Sequence, residues 1–97
     1  MDLKTYYEYY LTLHQNVVCR RLHFIGQWVT ILYVATIVHN SIWIALVLAP
    51  FIIYPFAWAG HAFYEKNKPA AFSDPLKAKI SDWLMFRDIL LGKIKIW

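Results

Sequence analysis

The feature that most constrains this chain is a long run without charge. Over residues 24–63, roughly 40 positions, the sequence contains no Asp, Glu, Lys or Arg. Because about 20 helical residues cross the hydrocarbon core of a bilayer, the run has the length of two spans. Asn40 and Ser41 form a polar pair near its middle. The sequence therefore predicts two transmembrane helices, at about 22–39 and 42–64, joined by a tight turn.

Composition argues against the other classes of protein. A soluble domain of 97 residues has too small an interior to bury two such helices. The segment before the run carries Asp2, Glu8 and several tyrosines, unlike the apolar core of a cleaved signal peptide. The single cysteine, Cys19, permits no internal disulfide. Lysines and arginines that flank membrane spans account for the net charge of +4, so we expect membrane lipid and no nucleic acid as a partner.

Amphipathic helices are predicted on both sides of the hairpin. Residues 2–15 have an apolar, tyrosine-rich face that suits the boundary between lipid headgroups and water. Asp74 and Pro75 resemble an N-cap and a first helical residue, which places a last helix at about 75–91 after a polar connector at 65–74. The expected fold is an all-α integral membrane protein, a two-span transmembrane hairpin flanked by N-terminal and C-terminal amphipathic helices.

The positive charges predict the orientation of this hairpin. Positive side chains lie before the first span and after the second, and the joining turn has none; those on which the prediction rests are Arg20, Arg21, Lys66, Lys68, Lys77 and Lys79. Both termini of a single membrane domain over residues 1–97 should then face the cytoplasm, across the inner membrane of a bacterium or the endoplasmic reticulum of a eukaryote. Pro50 and Pro55 predict a kink or local unwinding in the second span. Two helices bury little against each other, so we expect a homo-oligomer.

Three of the four histidines are predicted to converge. Antiparallel pairing of the spans leaves His39 at the far end, roughly 24 Å along the axis from the cytoplasmic surface at 1.5 Å per residue. Imidazoles with carboxylates and open positions are a ligand set for iron(II) in oxygen chemistry. The predicted metal ligands are His14, His23, His61, Glu65 and Asp82.

This metal hypothesis requires a break in the chain near its first histidine. On one straight helix His14 and His23, nine residues apart, would point in opposite directions. We therefore predict a hinge around Asn16 to Val18, with Asn16 as the cap of a new helix. Cys19 is interpreted as a small packing residue.

Blocks of sequence spread over nearly the whole chain resemble a known family. They are YYEYYLTLHQNVVCRRLHFIG at residues 6–26, AGHAFYEKNKPAAFSDP at 59–75 and SDWLMF at 81–86. The chain resembles the small membrane proteins typified by the fungal 2-hydroxy fatty acid dioxygenase. The family pattern has asparagine at the position of Cys19, so the resemblance carries no polar role over to it.

The resemblance implies an Fe(II)-dependent dioxygenase that uses O2 for α-oxidation. A long-chain 2-hydroxy fatty acid would lose its carboxyl carbon and become one carbon shorter. The residues implied as catalytic are His14, His23, His61 and Asp82, with Asp82 or Glu65 supporting the imidazoles or adding a ligand. Arg20, Arg21 or Lys66 could attract the substrate carboxylate.

The sequence leaves other functions open. Two histidines could be axial ligands of a haem in an electron-transfer protein. Several carboxylates and histidines could also hold two metal ions. In a non-enzymatic membrane adaptor the histidines would only anchor the chain at the membrane surface.

Overall fold

The computed structural model describes residues 2–67 and 74–96, and all regular structure within those ranges is helical. The elements are α1 (Leu3–Thr12), α2 (Val17–His39), a 3-10 helix (Trp43–Phe51), α3 (Ile53–Gly60), a π-helical turn (His61–Glu65) and α4 (Pro75–Leu90). Trp43–Glu65 together form a second apolar helix as long as α2, 23 residues each. The predicted all-α hairpin with flanking helices is confirmed.

Both apolar helices have the length and hydropathy of membrane spans. Large apolar side chains cover their outer surface: Ile44 is 82% exposed, Val47 64% and Leu32 63%. A core helix of a soluble protein buries such side chains, whereas a bilayer requires them on the outside. The exposed apolar surface therefore has the character of a face that contacts lipid.

The turn between these helices falls at the predicted polar pair. Asn40 caps α2, and its side-chain amide donates to the Thr36 carbonyl at 2.8 Å. Ser41 takes the left-handed conformation with φ 55°, and the amide of Ile42 returns to the Ile37 carbonyl at 3.1 Å. These bonds satisfy carbonyls at the end of α2 that would otherwise have no partner in a membrane.

Two glycines let α2 and α3 approach closely. A Cβ at Gly26 would lie 2.6 Å from Cδ1 of Ile53, and a Cβ at Gly60 would lie 2.8 Å from Sγ of Cys19 and 3.2 Å from its Cα. In a bilayer, helices associate by close packing rather than by expulsion of water, so small residues where the helices meet matter. The glycines set the distance between the two helices, and with it the position of the residues at the helix ends near Cys19 and Gly60.

The second apolar helix is interrupted where the prolines predict. It begins as a 3-10 helix that contains Pro50, and α-helical geometry starts only at Ile53. Pro55 lies in the first turn of α3, where a missing N–H removes no helical hydrogen bond. Of the two predicted alternatives, a kink or local unwinding, the structure shows local unwinding, as the 3-10 helix that contains Pro50. Tyr33 on α2 anchors that segment by donating its hydroxyl to the Ala45 carbonyl at 2.8 Å.

The flanking helices α1 and α4 pack against each other. Their shared core consists of Tyr6, Tyr10, Ala78, Met85 and Ile89. Tyr7 donates its hydroxyl to the Asp88 carboxylate at 2.6 Å. We expected the tyrosines at the lipid headgroups, but Tyr6 and Tyr10 are buried because α4 covers the apolar face of α1.

The helix bounds differ from expectation mainly around the hinge. α1 ends at Thr12 rather than at residue 15, and α2 already begins at Val17 rather than at about 22. At α4 the expected caps are found: Asp74 accepts from the amide of Lys77, and Pro75 is the first helical residue. Residues 68–73 of the expected connector, Lys68 among them, lie outside the described residues.

Candidate metal centre

The chain bends between α1 and α2, at residues 13–16, immediately before the hinge predicted around Asn16 to Val18. After α1, the amides of Leu13 and His14 return to carbonyls in its last turn, at 3.0 and 3.1 Å. Asn16 then caps α2, its side-chain oxygen accepting from the amide of Val18 at 2.8 Å and from that of Cys19 at 3.4 Å. Such a cap stabilises a helix start by about 1 kcal/mol. The bend turns His14 towards the side of α2 that carries His23.

Three imidazoles meet next to this hinge. The ring centroid of His14 lies 4.6 Å from those of both His23 and His61, and the latter two lie 5.5 Å apart. The rings are nearly perpendicular to one another, and all three side chains are buried. His39 is exposed at the other end of α2. The structure thus brings together the three histidines that the sequence grouped and separates the fourth.

His14 is fixed by α1. Its Nδ1 donates to the Tyr10 carbonyl at 2.7 Å, and the Tyr10 ring stacks on the imidazole with a centroid distance of 4.0 Å. Burial, together with the neighbouring imidazole of His23, lowers the pKa of His14 to about 2. The ring is therefore neutral at physiological pH, which is the form that binds metals.

His23 is fixed by α4. Its Nδ1 lies 3.1 Å from Oδ1 of Asp82, and both residues are buried. A carboxylate that accepts from one ring nitrogen orients the imidazole and makes the other nitrogen a better metal ligand. In this geometry Asp82 contacts the ring of His23, and its role at a metal, either supporting the imidazole or adding a ligand, stays a prediction.

His61 is fixed by a residue just beyond the π-helical turn. Its Nδ1 donates to Oδ1 of Asn67 at 2.5 Å, and the Asn67 amide nitrogen donates to the Leu13 carbonyl at 3.1 Å. This amide joins the end of the second apolar helix to the hinge after α1. Single-turn π-helical segments occur frequently at functional sites.

The three rings share one arrangement of their nitrogens. In each ring Nδ1 carries the proton and donates to an oxygen, so the lone pair is on Nε2. Nε2 of His14 and Nε2 of His23 are buried without a hydrogen-bond partner among the described residues. A buried acceptor without a partner is costly, and a bound cation would remove that cost. The donor set therefore fits a metal ion.

Cys19 lies beside the imidazoles. One ligand atom from each of His14, Cys19, His23 and His61 lies within 4.8 Å of the others. Cys19 is fully buried one helical turn before His23 and packs directly on Gly60. Cys19 therefore both packs at the crossing of two helices and places its sulfur within reach of the imidazoles, and its interpretation as a packing residue stays a prediction.

A cavity of about 30 Å3 opens beside the imidazoles. Its walls come from the three histidines and Tyr10, from α3 and from α4. Tyr54, Ala57 and Trp58 form the α3 side, and Ala78, Lys79 and Asp82 form the α4 side. This space would admit the polar end of a small molecule to the three imidazoles.

Glu65 does not join the imidazoles. Its carboxylate accepts from the backbone amide of Asn16, so it closes the hinge at the start of α2. The expectation that Glu65 shares a face with His61 assumed α-helical spacing, whereas the chain between them is a π-helical turn.

The three residues expected to attract a carboxylate lie outside the cavity wall. Arg20 donates to the carbonyl of His14 at 2.6 Å and to that of Lys95 at 3.3 Å, and Arg21 donates to the carbonyl of Ile96. These arginines hold the C-terminal tail. Lys66 ends the π-helical turn in the left-handed conformation and is exposed.

Sequence reasoning missed three contributors to the site: Tyr10, Asn67 and Lys79. Tyr10 and Lys79 line the cavity, and Asn67 binds His61. Tyr10 lies four residues before His14, and that spacing could have indicated that the two share one helical face. For Asn67 and Lys79 no local pattern indicated a role.

Comparison with known protein families adds a second observation. The family model described as 2-hydroxy-palmitic acid dioxygenase Mpo1-like matches residues 1–94. This chain belongs to the Mpo1-like family. The matched residues include every helix from α1 through α4, and so every helix that contributes to the candidate metal centre. No curated protein and no solved structure matches the chain.

Proposed function

We propose that this Mpo1-like protein is an Fe(II)-dependent dioxygenase that shortens a long-chain 2-hydroxy fatty acid by one carbon, with O2 as co-substrate. The observation that carries the proposal is the set of three buried imidazoles, each with Nδ1 bound to an oxygen and Nε2 left for a ligand. The family description supports the substrate class and the type of reaction.

His14, His23 and His61 would hold the iron. Three imidazole ligands leave coordination positions open, as oxygen-activating iron sites require. Bound iron(II) would supply the one-electron chemistry that O2 needs in order to react with a closed-shell organic molecule. Asp82 would keep Nδ1 of His23 protonated and its ring in place, and Asn67 would do the same for His61.

The fold suits a substrate that dissolves in the bilayer. The cavity has room for about two water-sized groups, enough for a polar head and too little for an alkyl chain. The exposed side chain of Trp58 lies at its edge, and the apolar surface of the hairpin continues from there. A fatty acid could place its head among the imidazoles while its chain stays in lipid.

The proposed orientation has both termini in the cytoplasm. Arg20, Arg21, Lys66 and Lys77 lie at the end of the hairpin that carries α1 and α4, and the turn at Asn40 and Ser41 is uncharged. Positive charges are retained on the cytoplasmic side during insertion. The iron would then lie at the depth of the cytoplasmic headgroups.

Iron content and product formation together test this proposal. Purified protein in lipid nanodiscs is loaded with Fe(II) without air, desalted and analysed for metal, and then given 2-hydroxypalmitate in air. We expect about one iron per chain, because one set of three imidazoles is present, and conversion to pentadecanoate detected by mass spectrometry. Palmitate, which lacks the 2-hydroxyl, is the control substrate and should remain unchanged.

Three outcomes would contradict the proposal. If the purified protein retains no iron, the proposed metal centre is wrong, and a content near two irons per chain would favour a dinuclear site. If iron-loaded protein leaves 2-hydroxypalmitate intact in air, the proposed activity is wrong.

A haem protein fits the geometry less well. Axial histidines bind a haem from opposite faces, with a porphyrin ring between them. Here the imidazole centroids are only 4.6 to 5.5 Å apart around a cavity of about 30 Å3, which leaves no room for a porphyrin. A Soret band in purified protein would overturn this conclusion.

A further inference from the structure

The cavity wall contains a positively charged side chain that is not among the residues holding the three imidazoles. Lys79, on α4, is the only lysine or arginine among the described residues that line the cavity. The carboxylate of Asp82 lies one turn further along the same face and is already bound to Nδ1 of His23. The cavity therefore has a cation on one side and three imidazoles on the other, and its described wall contains no carboxylate besides that of Asp82.

Interactions with the second apolar helix hold Lys79 in this position. Its Nζ donates to the Pro50 carbonyl and lies 5.0 Å from the centroid of the Tyr54 ring. The side chain is half-buried, and burial lowers the pKa of its ammonium group, an effect that the charge of Asp82 opposes. An ammonium group has three donors and the Pro50 carbonyl takes one, so donors remain for a ligand in the cavity.

A partly desolvated cation next to an apolar surface favours an anionic ligand with an apolar tail. Water solvates such an ammonium group poorly, so a carboxylate gains more there than at an exposed lysine. The rings of Tyr54 and Trp58 stack at 5.4 Å along the α3 edge of the cavity, and Trp58 is exposed beyond it. An alkyl chain that starts in the cavity can leave along these rings into the lipid.

We propose that Lys79 binds the carboxylate of the substrate, so that the hydroxyl-bearing carbon faces His14, His23 and His61 and the alkyl chain leaves past Tyr54 and Trp58. This inference rests on the proposed function for the identity of the substrate, and it makes Lys79 the residue that selects a free acid. Esters, amides and alcohols of the same chain length have no negative charge for the ammonium group. They should bind weakly whether or not their 2-hydroxyl is present.

The experiment compares two ligands and three variants. The ligands are 2-hydroxypalmitate and hexadecane-1,2-diol, which keeps the hydroxyl and the chain but replaces the carboxylate by an alcohol. The variants are Lys79→Gln, Lys79→Arg and, as the matched control on the same helix outside the cavity wall, Lys77→Gln. Binding to the protein in nanodiscs is measured by calorimetry, and KM and kcat are measured for the acid.

We expect Lys79→Gln to weaken binding of the acid and to raise its KM by about 10- to 100-fold, the effect of losing one charge-assisted hydrogen bond. Binding of the diol and the iron content should not change. Lys79→Arg should retain most of the affinity for the acid, because it retains the charge. Lys77→Gln should behave as the wild type.

Two results would overturn the assignment. In one, Lys79→Gln binds the acid as well as the wild type does. In the other, the acid and the diol lose affinity equally, which would show that Lys79 only ties α4 to the segment around Pro50. If wild-type protein binds the acid but does not shorten it, the proposed function is wrong. The comparison of binding between wild type and Lys79→Gln would still decide the role of Lys79.

Discussion

His23 and His39 lie on the same helix, and their surroundings differ in every respect that matters to a metal ion. His23 is buried, its Nδ1 is held by Asp82 from α4, and two further imidazoles face it. His39 ends α2 in an exposed position next to the turn. The comparison shows that a histidine becomes a candidate ligand only where packing removes water and a second residue fixes its tautomer.

The largest effect should come from removing one imidazole at each end of α2. His23→Ala should abolish retention of iron and reduce activity by more than about 100-fold. Loss of a residue that only hydrogen-bonds to a metal ligand typically costs about 10- to 100-fold, and loss of the ligand itself should cost more. His39→Ala should change neither. Metal analysis after desalting and single-turnover assays check both. If His23→Ala retained as much iron and activity as His39→Ala, the two ends of the hairpin would not differ as proposed. That result would favour a non-enzymatic adaptor.

A smaller effect should follow from the residue that holds His23. Asp82→Asn should weaken iron binding by about 10- to 100-fold while the helical content stays the same. Asp88→Asn is the matched control, since Asp88 is also buried on α4 but binds Tyr7 rather than an imidazole. It should cost about 1–3 kcal/mol of folding stability and leave the affinity for iron unchanged. Competition with a metal-binding dye and thermal unfolding measure the two quantities.

The two glycines at the crossing of α2 and α3 should differ in cost. Gly60→Ala places a Cβ against the sulfur and the backbone of Cys19, which cannot move independently of α2, and we expect a loss of about 1–3 kcal/mol of folding stability. Gly26→Ala meets the flexible end of Ile53, although Phe56 also lies close, so we expect a smaller loss.

Thermal unfolding in detergent measures both losses. Cys19→Ala should partly rescue Gly60→Ala, because it removes the sulfur but leaves the backbone of residue 19 against the new methyl group. No rescue would mean that the approach of the two backbones alone sets the distance between the helices.

The smallest effect concerns the packing of α1 on α4 in acid. Hydrogen bonds from Tyr7 and Arg87 lower the pKa of Asp88 below its ordinary value, although burial by itself would raise it. A carboxyl group with a lowered folded-state pKa contributes stability above its ordinary pKa of about 3.9, and that contribution is lost as the pH falls through the folded value. The difference in unfolding temperature between wild type and Asp88→Asn should therefore shrink below about pH 4. A constant difference across this range would contradict the assignment to the carboxylate.

The hinge shows how far sequence could predict the site. Two facts were sufficient to predict a break in the helix near Asn16. A separation of nine residues puts His14 and His23 out of phase on a straight helix, and Asn16 is a good N-cap. The structure has the break just before Asn16 and the cap at that residue. Both facts are local, so a single sequence contains them.

The partners of the charged residues could not be predicted in the same way. Glu65 was expected beside His61, but the π-helical turn directs it to the amide of Asn16. Arg20 and Arg21 were expected at a substrate carboxylate, but the C-terminal tail returns and occupies them. Lys79, counted only as a flanking charge, lines the cavity because α4 lies across the break at Pro50.

The sequence by itself determined the helical hairpin, its turn, the hinge and the end at which three histidines meet. Hydropathy, capping and helical phase act over a few residues, so these features follow from local patterns. Only the tertiary structure decided which acid holds which imidazole, which nitrogen remains for the metal and which cation faces the cavity. Those choices depend on pairs distant in the chain, such as His23 and Asp82, 59 residues apart, and on packing that no local pattern encodes.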